Sequence, residues 1–204
     1  FRNFISGVLL IIGIFSLISS ASTSEIYPSK IVTDFHKVLL WSMKNSQILN
    51  TKERYKKIAP QIKQSFNFAL MAQISVGSYW RKASKKQAKA LVSAFTHFSI
   101  SNFASQFDGY TGQSFITLGE KRGPQKTILI KTQIISPGSK PIEITYVTQK
   151  IKQKWRIIDI LLGSGISELA IRKSEYRQIL KNNGLDKLIE TLNRKAEKLI
   201  NQDN

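Results

Sequence analysis

Residues 127–162 read TILIKTQIIS, PGSKP, IEITYVTQK, IKQ and KWRIIDILL in succession, and this stretch decides the fold. Three runs rich in β-branched and aromatic residues, separated by short turn-forming segments, predict an antiparallel meander. Pro137, Gly138, Ser139, Lys140 and Pro141 supply a fixed φ, a residue tolerant of φ > 0 and a polar tip, which together make a turn. In the first run Ile128, Ile130, Thr132 and Ile134 share one face, against Leu129, Lys131, Gln133 and Ile135. In the second, Ile142, Ile144, Tyr146 and Thr148 oppose Glu143, Thr145, Val147 and Gln149. One face is largely apolar and the other mixed, the pattern of a sheet covered on one side. The third run, almost continuously apolar, leaves two phases open. Either Trp155 and Ile157 face inward, or Arg156, Ile158 and Ile160 do, in which case Asp159 leaves the interior.

Helical patterns flank the meander. Ile31, Val32, Phe35, Val38 and Leu39 make one stripe after Pro28. Asn50 with Glu53 reads as a capping box opening a second helix, which Pro60 is expected to break or restart. The segment SFNFALMAQISVGSYWRKAS is helical to about Val76 and stops at Gly77. Ser84 with Gln87 is a second capping box, ahead of a stripe of Ala88, Leu91, Val92, Phe95 and Phe98 that continues through Asn102 or Phe103 towards Phe107. Residues 113–118 read as a first strand. Past Gly163 a helix over 174–183 ends at Gly184, a left-handed C-cap, and 185–200 repeats an amphipathic stripe with Leu185, Leu188, Ile189, Leu192, Ala196 and Leu199. The fold class is therefore α+β, a curved antiparallel sheet wrapped by helices.

The first 21 residues have a different character. Arg2 precedes an apolar run over 4–18, broken only by Ser and Gly and followed by small residues around Ser20 and Ala21. The run is short for a bilayer span and ends in a polar segment, so 1–21 is expected to be a secretory signal and 22–204 one mature domain. Arg2 is the only charge in 1–21, so +17 of the chain's net +18 belongs to the remainder. There is no cysteine, which excludes disulfides and thiolate metal sites, and export without disulfides suits a bacterial periplasm.

Motifs of chemistry are missing from the sequence. It contains no Gly-rich phosphate loop, no metal-spaced His and Glu, and no nucleophile elbow. His36 and His97 both fall on helical patterns beside phenylalanines and read as packed or surface positions. Asp159, between Ile158 and Ile160, is the one candidate for a buried base. The alternative, favoured here, is a carboxylate accepting backbone hydrogen bonds at a bend of the sheet. The basic pairs Lys56-Lys57, Arg81-Lys82, Lys85-Lys86 and Arg172-Lys173 are scattered without an aromatic readout motif, which argues against nucleic acid and for attraction to anionic headgroups or acidic protein surfaces. Ten aromatic residues between Phe66 and Phe115, set over a curved sheet, suggest an interior able to enclose a large apolar ligand.

Three ordered blocks carry a family resemblance. The first is Phe66, Phe68, Met71-Ala72, Gly77 and Tyr79-Trp80, followed by the helix that runs into Phe107-Asp108-Gly109-Tyr110. The second is Trp155, Asp159, Gly165 and Ser167 within KWRIIDILLGSGISEL. The third is Tyr176, Gly184, Asp186, Leu188-Ile189 and Leu192 within YRQILKNNGLDKLIETL. Over about 29–200 the chain resembles the MlaC family of periplasmic phospholipid-transport proteins, also called toluene-tolerance auxiliary proteins. The resemblance implies a nuclear-transport-factor-2-like fold around an apolar cavity. It implies a carrier without turnover or cofactor, with phospholipid as cargo. It further implies shuttling between an outer-membrane lipoprotein complex and an inner-membrane ABC-transporter complex, serving outer-membrane lipid asymmetry and solvent tolerance, and a monomer is expected. Asn67 departs from the acidic residue that the family often carries there.

Strand alternation and helical spacing then select the individual lining residues within those regions. From the sheet they are Ile128, Ile130, Ile134, Ile144, Tyr146, Trp155 and Ile157. From the helices they are Met71, Val76, Tyr79, Trp80, Phe95, Phe98 and Phe103. The competing expectation is an enzyme on the same fold, with Asp159 as base acting on a small apolar substrate.

Overall fold

A computed structural model describes residues 27–202; the segment read as a signal lies outside them. Helix α1 (Pro28–Lys44) begins with a proline at N1, where its missing N–H costs nothing, and buries Val32, Phe35, His36, Leu39 and Met43. Helix α2 (Thr51–Ser65) opens with the expected capping box: the Glu53 N–H donates to Asn50 Oδ1 and the Asn50 N–H to Glu53 Oε2, each at 3.0 Å. Pro60 does not break it. The proline sits on the exposed side beside exposed Lys56, where a carbonyl deprived of its donor can be hydrated, while Ile58, Ala59 and Ile62 keep the opposite flank buried.

Helix α3 (Phe68–Val76) ends at Gly77, whose φ of 56° suits a residue without Cβ. A single turn, α4 (Tyr79–Lys82), leads to α5 (Lys85–Gln106), which opens on the Ser84–Gln87 capping box. Four long strands follow, β1 (Ser114–Arg122), β2 (Thr127–Ile135), β3 (Ile142–Ile151) and β4 (Lys154–Leu162), with a two-residue β5 (Ile166–Ser167). They pair antiparallel in the order β1-β2-β3-β4-β5, so the meander extends to the whole sheet. The first strand ends four residues further on than its apolar pattern indicated, continuing through a bulge at Leu118 into the polar Glu120–Arg122 end. Helix α6 (Glu168–Ile200) starts six residues earlier than the amphipathic pattern suggested, because Ser167 caps it by accepting from the Ala170 N–H. Gly184, at φ 74° and ψ −172°, kinks α6 where the sequence placed a helix end.

The sheet's inner face matches the alternation in β2 and β3. Ile130, Thr132, Ile144, Tyr146 and Thr148 are buried, and the two threonine hydroxyls donate across strands to the carbonyls of Ile144 and Ile128 at 2.9 Å. A buried hydroxyl is thereby satisfied without leaving the core. Ile142 is the exception: it stands on the same face at the strand's start yet is 56% exposed, beyond the cover of the helices.

Strand β4 combines the two phases left open by the sequence. Thr148 pairs with Ile157 but Val147 pairs with Asp159, so Ile158 is an extra, bulged residue. Before the bulge Ile157 faces inward and is fully buried; after it Ile160 and Leu162 lie opposite Tyr146 and Ile144 on the inner face. Asp159 turns to the outer face with Val147. A bulge also bends the sheet, and here it sits in the middle of the apolar run that hid it.

Candidate functional site

Between the inner face of the sheet and the helices lies a cavity of about 120 Å³. Its wall is built from Phe35 and Leu39 of α1, Phe66, Phe68 and Met71 around the start of α3, and Phe103 and Phe107 of α5. Ile144 and Tyr146 of β3 and Ile160 and Leu162 of β4 complete the apolar part. Ser99, Asn102 and Gln106 form one polar edge along α5, and Glu168 with Arg172 forms another at the start of α6. Apolar walls with polar groups at a rim fit an amphiphile, whose tails leave water while its charged end stays near it.

The wall is held by aromatic packing. Phe35 meets Phe66 edge-on with ring centres 4.9 Å apart and Phe103 at 5.1 Å, and Phe66 stacks on Phe68 at 5.3 Å. The link between α2 and α3 is fastened to the sheet where β5 does not reach. Phe66 bridges Ile157, and the Asn67 N–H donates to the Ile157 carbonyl at 2.9 Å. The Asn67 side chain accepts from the Leu70 N–H at 3.2 Å, so the neutral amide caps the start of α3.

Two buried polar residues set the geometry behind the wall. Arg54, 2% exposed, donates through Nη1 to the carbonyls of Ala104 (2.7 Å) and Phe107 (3.0 Å), through Nε to Leu49 and through Nη2 to Thr51. It neutralises the carbonyl end of α5, the favourable place for a cation, and fixes the turn that carries Phe103, Gln106 and Phe107. His36 is stacked on Phe115 with ring centres 4.1 Å apart, and its Nε2 lies 3.0 Å from the Tyr146 hydroxyl. Burial pulls the His36 imidazole down to about 4 and pushes the Tyr146 phenol up, so both are neutral near pH 7.

Of the sequence-selected lining residues, Met71, Phe103, Ile144 and Tyr146 meet around the cavity. Val76, Phe95, Ile130 and Ile157 are buried in the core outside its wall. Tyr79, Trp80, Phe98, Ile128 and Ile134 pack against that core while partly exposed, and Trp80 borders a shallow surface hollow with Gly77, Arg81 and Lys173. Trp155 is half-buried opposite Lys150 near the start of β4. Sequence reasoning passed over Phe35 and Leu39 as ordinary helix packing, and Phe66 and Phe68 appeared as family signature without being assigned to the wall. Asn102 is one of two continuations of the α5 stripe in the sequence, whereas Ser99 and Gln106, three residues before it and four after it, are not singled out there.

Asp159 lies away from this cavity, beside a groove on the outer face with Leu129, Val147 and Leu161. Its Oδ1 accepts from the N–H groups of Ile160 (2.8 Å) and Leu169 (3.2 Å), and its Oδ2 from the Ser167 hydroxyl. That is the backbone-binding role favoured from the sequence. Among the described residues no cluster of His, Cys, Asp or Glu is suited to hold a metal ion, and no helix is long and apolar enough to cross a membrane.

The architecture and cavity define a class: a small α+β protein with an aromatic-walled interior that opens at a polar rim. The family model described as MlaC protein matches residues 34–194, and the chain belongs to the MlaC family. Among solved structures it is similar to a phospholipid-binding protein from Ralstonia solanacearum, determined in complex with a phospholipid. The TM-score is 0.70 at 17% identity, over 84% of this chain and 95% of that one. No curated protein matches the sequence.

Proposed function

We propose that this protein is a phospholipid carrier that encloses acyl chains between its sheet and helices and leaves the headgroup at the rim. The observation that carries the reading is the cavity itself, apolar and aromatic throughout its wall with charge confined to one edge. Family membership and the phospholipid held by the Ralstonia protein support it. Burying a methylene is worth ~0.8 kcal/mol, so a sixteen-carbon chain approaches ~12 kcal/mol before ordering costs. No acid–base pair is needed for that work, and the reading includes no enzymatic turnover and no cofactor.

Ligand cavities commonly measure ~300–1,000 Å³, and this one is about 120 Å³. Loading therefore requires the wall to part, and the edge-on contacts of Phe35 with Phe66 and Phe103 are where rings can turn without breaking a hydrogen bond. The chain contacts fall to Met71, Phe103, Ile144 and Tyr146 with Phe35, Phe66, Ile160 and Leu162. On this reading residues 1–21 are removed as a signal, and 22–204 act as one monomeric domain in the periplasm. Its route runs between an outer-membrane lipoprotein complex and an inner-membrane ABC-transporter complex, in support of outer-membrane lipid asymmetry and solvent tolerance. The net charge of +17 left after removal of 1–21 favours encounters with anionic membrane surfaces.

Mass spectrometry of the purified chain, native and then denatured with solvent extraction, tests the proposal. Stoichiometric phospholipid released only on denaturation is the expected result. A protein that is empty as purified and takes up no lipid from vesicles sinks it.

A further inference from the structure

We propose that Arg172 binds the phosphate of the enclosed lipid, in a site that Glu168 guards; this deepens the carrier reading and rests on it. Among the residues lining the cavity, Glu168 and Arg172 are the only charged ones, and they stand side by side on the first turns of α6. An amphiphile with its tails against Phe35, Phe66 and Ile144 has its charged end to place, and this pair occupies the rim where that end must lie.

The surroundings of Arg172 prepare it for an anion. Its guanidinium sits over the rings of Phe95 at 5.5 Å and Phe98 at 5.2 Å, and its side chain is only 13% exposed. The rings fix the plane of the fork and strip water from one side, while contributing little that competes with a true counter-ion. The ion pair with Glu168, from Nε at 3.5 Å, is longer than a good charge-assisted hydrogen bond and engages at most one of five N–H donors. Asn102 and Gln106 of α5 bring amides to the lining of the same cavity. A phosphate ester offers two non-bridging oxygens at the spacing the fork accepts.

Glu168 is the discriminating element. It is a third exposed, so it can turn into water at small cost, yet while it stays it repels an approaching phosphate. The carboxylate thus holds the guanidinium across the rim until a phosphate displaces it. A neutral lipid, which cannot displace it, gains nothing from Arg172.

The ligand chemistry, a phosphate ester or phosphate ion, has two sources, and competition loading separates them. Delipidated protein is offered dioleoyl phosphatidylglycerol and dioleoylglycerol together in neutral detergent micelles, and the bound ratio is read by mass spectrometry. The wild type should favour the phospholipid at least ten-fold. R172Q should bring the ratio near unity, R172K should fall between, and E168Q should raise it. Inorganic phosphate at 10 mM order of magnitude, ~10⁴-fold above a micromolar site, should leave the ratio unchanged; its collapse would reassign the site to the free ion and overturn the headgroup assignment. Diacylglycerol uptake by R172Q reports that the apolar cavity is formed. If R172Q takes up neither lipid, R172K and E168Q decide, and wild-type ratios in both overturn the proposal. A wild type that loads both lipids equally overturns this site alone, whereas one that loads neither overturns the carrier reading with it.

Discussion

The Ser167 hydroxyl donates to the Asp159 carboxylate, tying the outer face of β4 to the start of the last helix. The same carboxylate accepts from the Leu169 N–H, and Ser167 in turn caps the Ala170 N–H. Asp159 is therefore a clamp between sheet and α6. Asp159→Asn keeps one acceptor but turns the other position into a donor facing the Ser167 hydroxyl, and should cost about 1–3 kcal/mol. Denaturant melts would show a lower midpoint, with co-purified lipid retained in the folded fraction. An unchanged midpoint together with lost lipid would transfer Asp159 to the functional site.

Charge placed in the cavity should empty it. Ile144 and Ile142 share one face of β3, but Ile144 lines the cavity and Ile142 is exposed. An ionised carboxylate among Phe66, Tyr146 and Leu162 is too costly to leave beside acyl chains. Ile144→Glu is expected to lose stoichiometric lipid, and Ile142→Glu to keep it, as read by extraction and mass spectrometry. Ile130, fully buried outside the wall, is the wrong place for this test because a charge there attacks folding first.

The fold was legible where the side-chain period is strict. Alternation from Ile128 to Thr148 marked the inner face, and Ser84 with Gln87 marked the start of α5. What stayed hidden depends on contacts between distant residues. The bulge at Ile158 lies in a run apolar on both faces, so neither phase leaves a trace in composition. Arg54 looks like one more surface cation of α2, and only the approach of the end of α5 explains its burial. Arg172 reads as half of a scattered basic pair with Lys173, and Glu168 falls ahead of the helical pattern. Only the earlier start of α6 makes them i,i+4 partners, and the rings of Phe95 and Phe98, more than seventy residues before Arg172, make the site unusual.

Arg54 should be a large contributor to the cavity's far end. Arg54→Met keeps the packing of the stem and removes the donors to the Ala104 and Phe107 carbonyls. A loss of about 2–4 kcal/mol is expected, since buried acceptors lose their partners. Hydrogen exchange should quicken first in the last turn of α5. Uniform acceleration across the whole chain would argue that Arg54 supports the core generally and not that turn.

The hairpin between β3 and β4 carries removable strain. Ile151 pairs with Lys154, leaving a two-residue turn of Lys152 (φ 46°) and Gln153 (φ 64°). Both positions demand the left-handed region, which Asn and Gly occupy more readily. Lys152→Asn with Gln153→Gly should stabilise by about 1 kcal/mol, raising Tm by roughly 2–4 °C in a chain of this size. Calorimetry of the double variant checks it, and a fall in Tm would mean the two side chains contribute more than the backbone loses.

Finally, His36 predicts how stability depends on pH. Its imidazole is held at about 4 by burial, against ~6.5 in the unfolded chain. Above pH 6.5 neither state binds the proton and this group leaves stability unaffected. As pH falls from 6.5 to 4 the unfolded chain takes up the proton while the folded one does not, so stability is lost across that window and the loss levels off below it. The full effect is about 3 kcal/mol, from ~1.36 kcal/mol per pKa unit. Tyr146 ties this to the cavity, since its ring lines the wall while its hydroxyl meets His36 Nε2. His36→Gln preserves a hydrogen-bonding partner for that hydroxyl and cannot titrate. Urea melts of the variant should flatten between pH 6.5 and 4 relative to wild type, and parallel slopes in the two proteins would place the titrating group elsewhere.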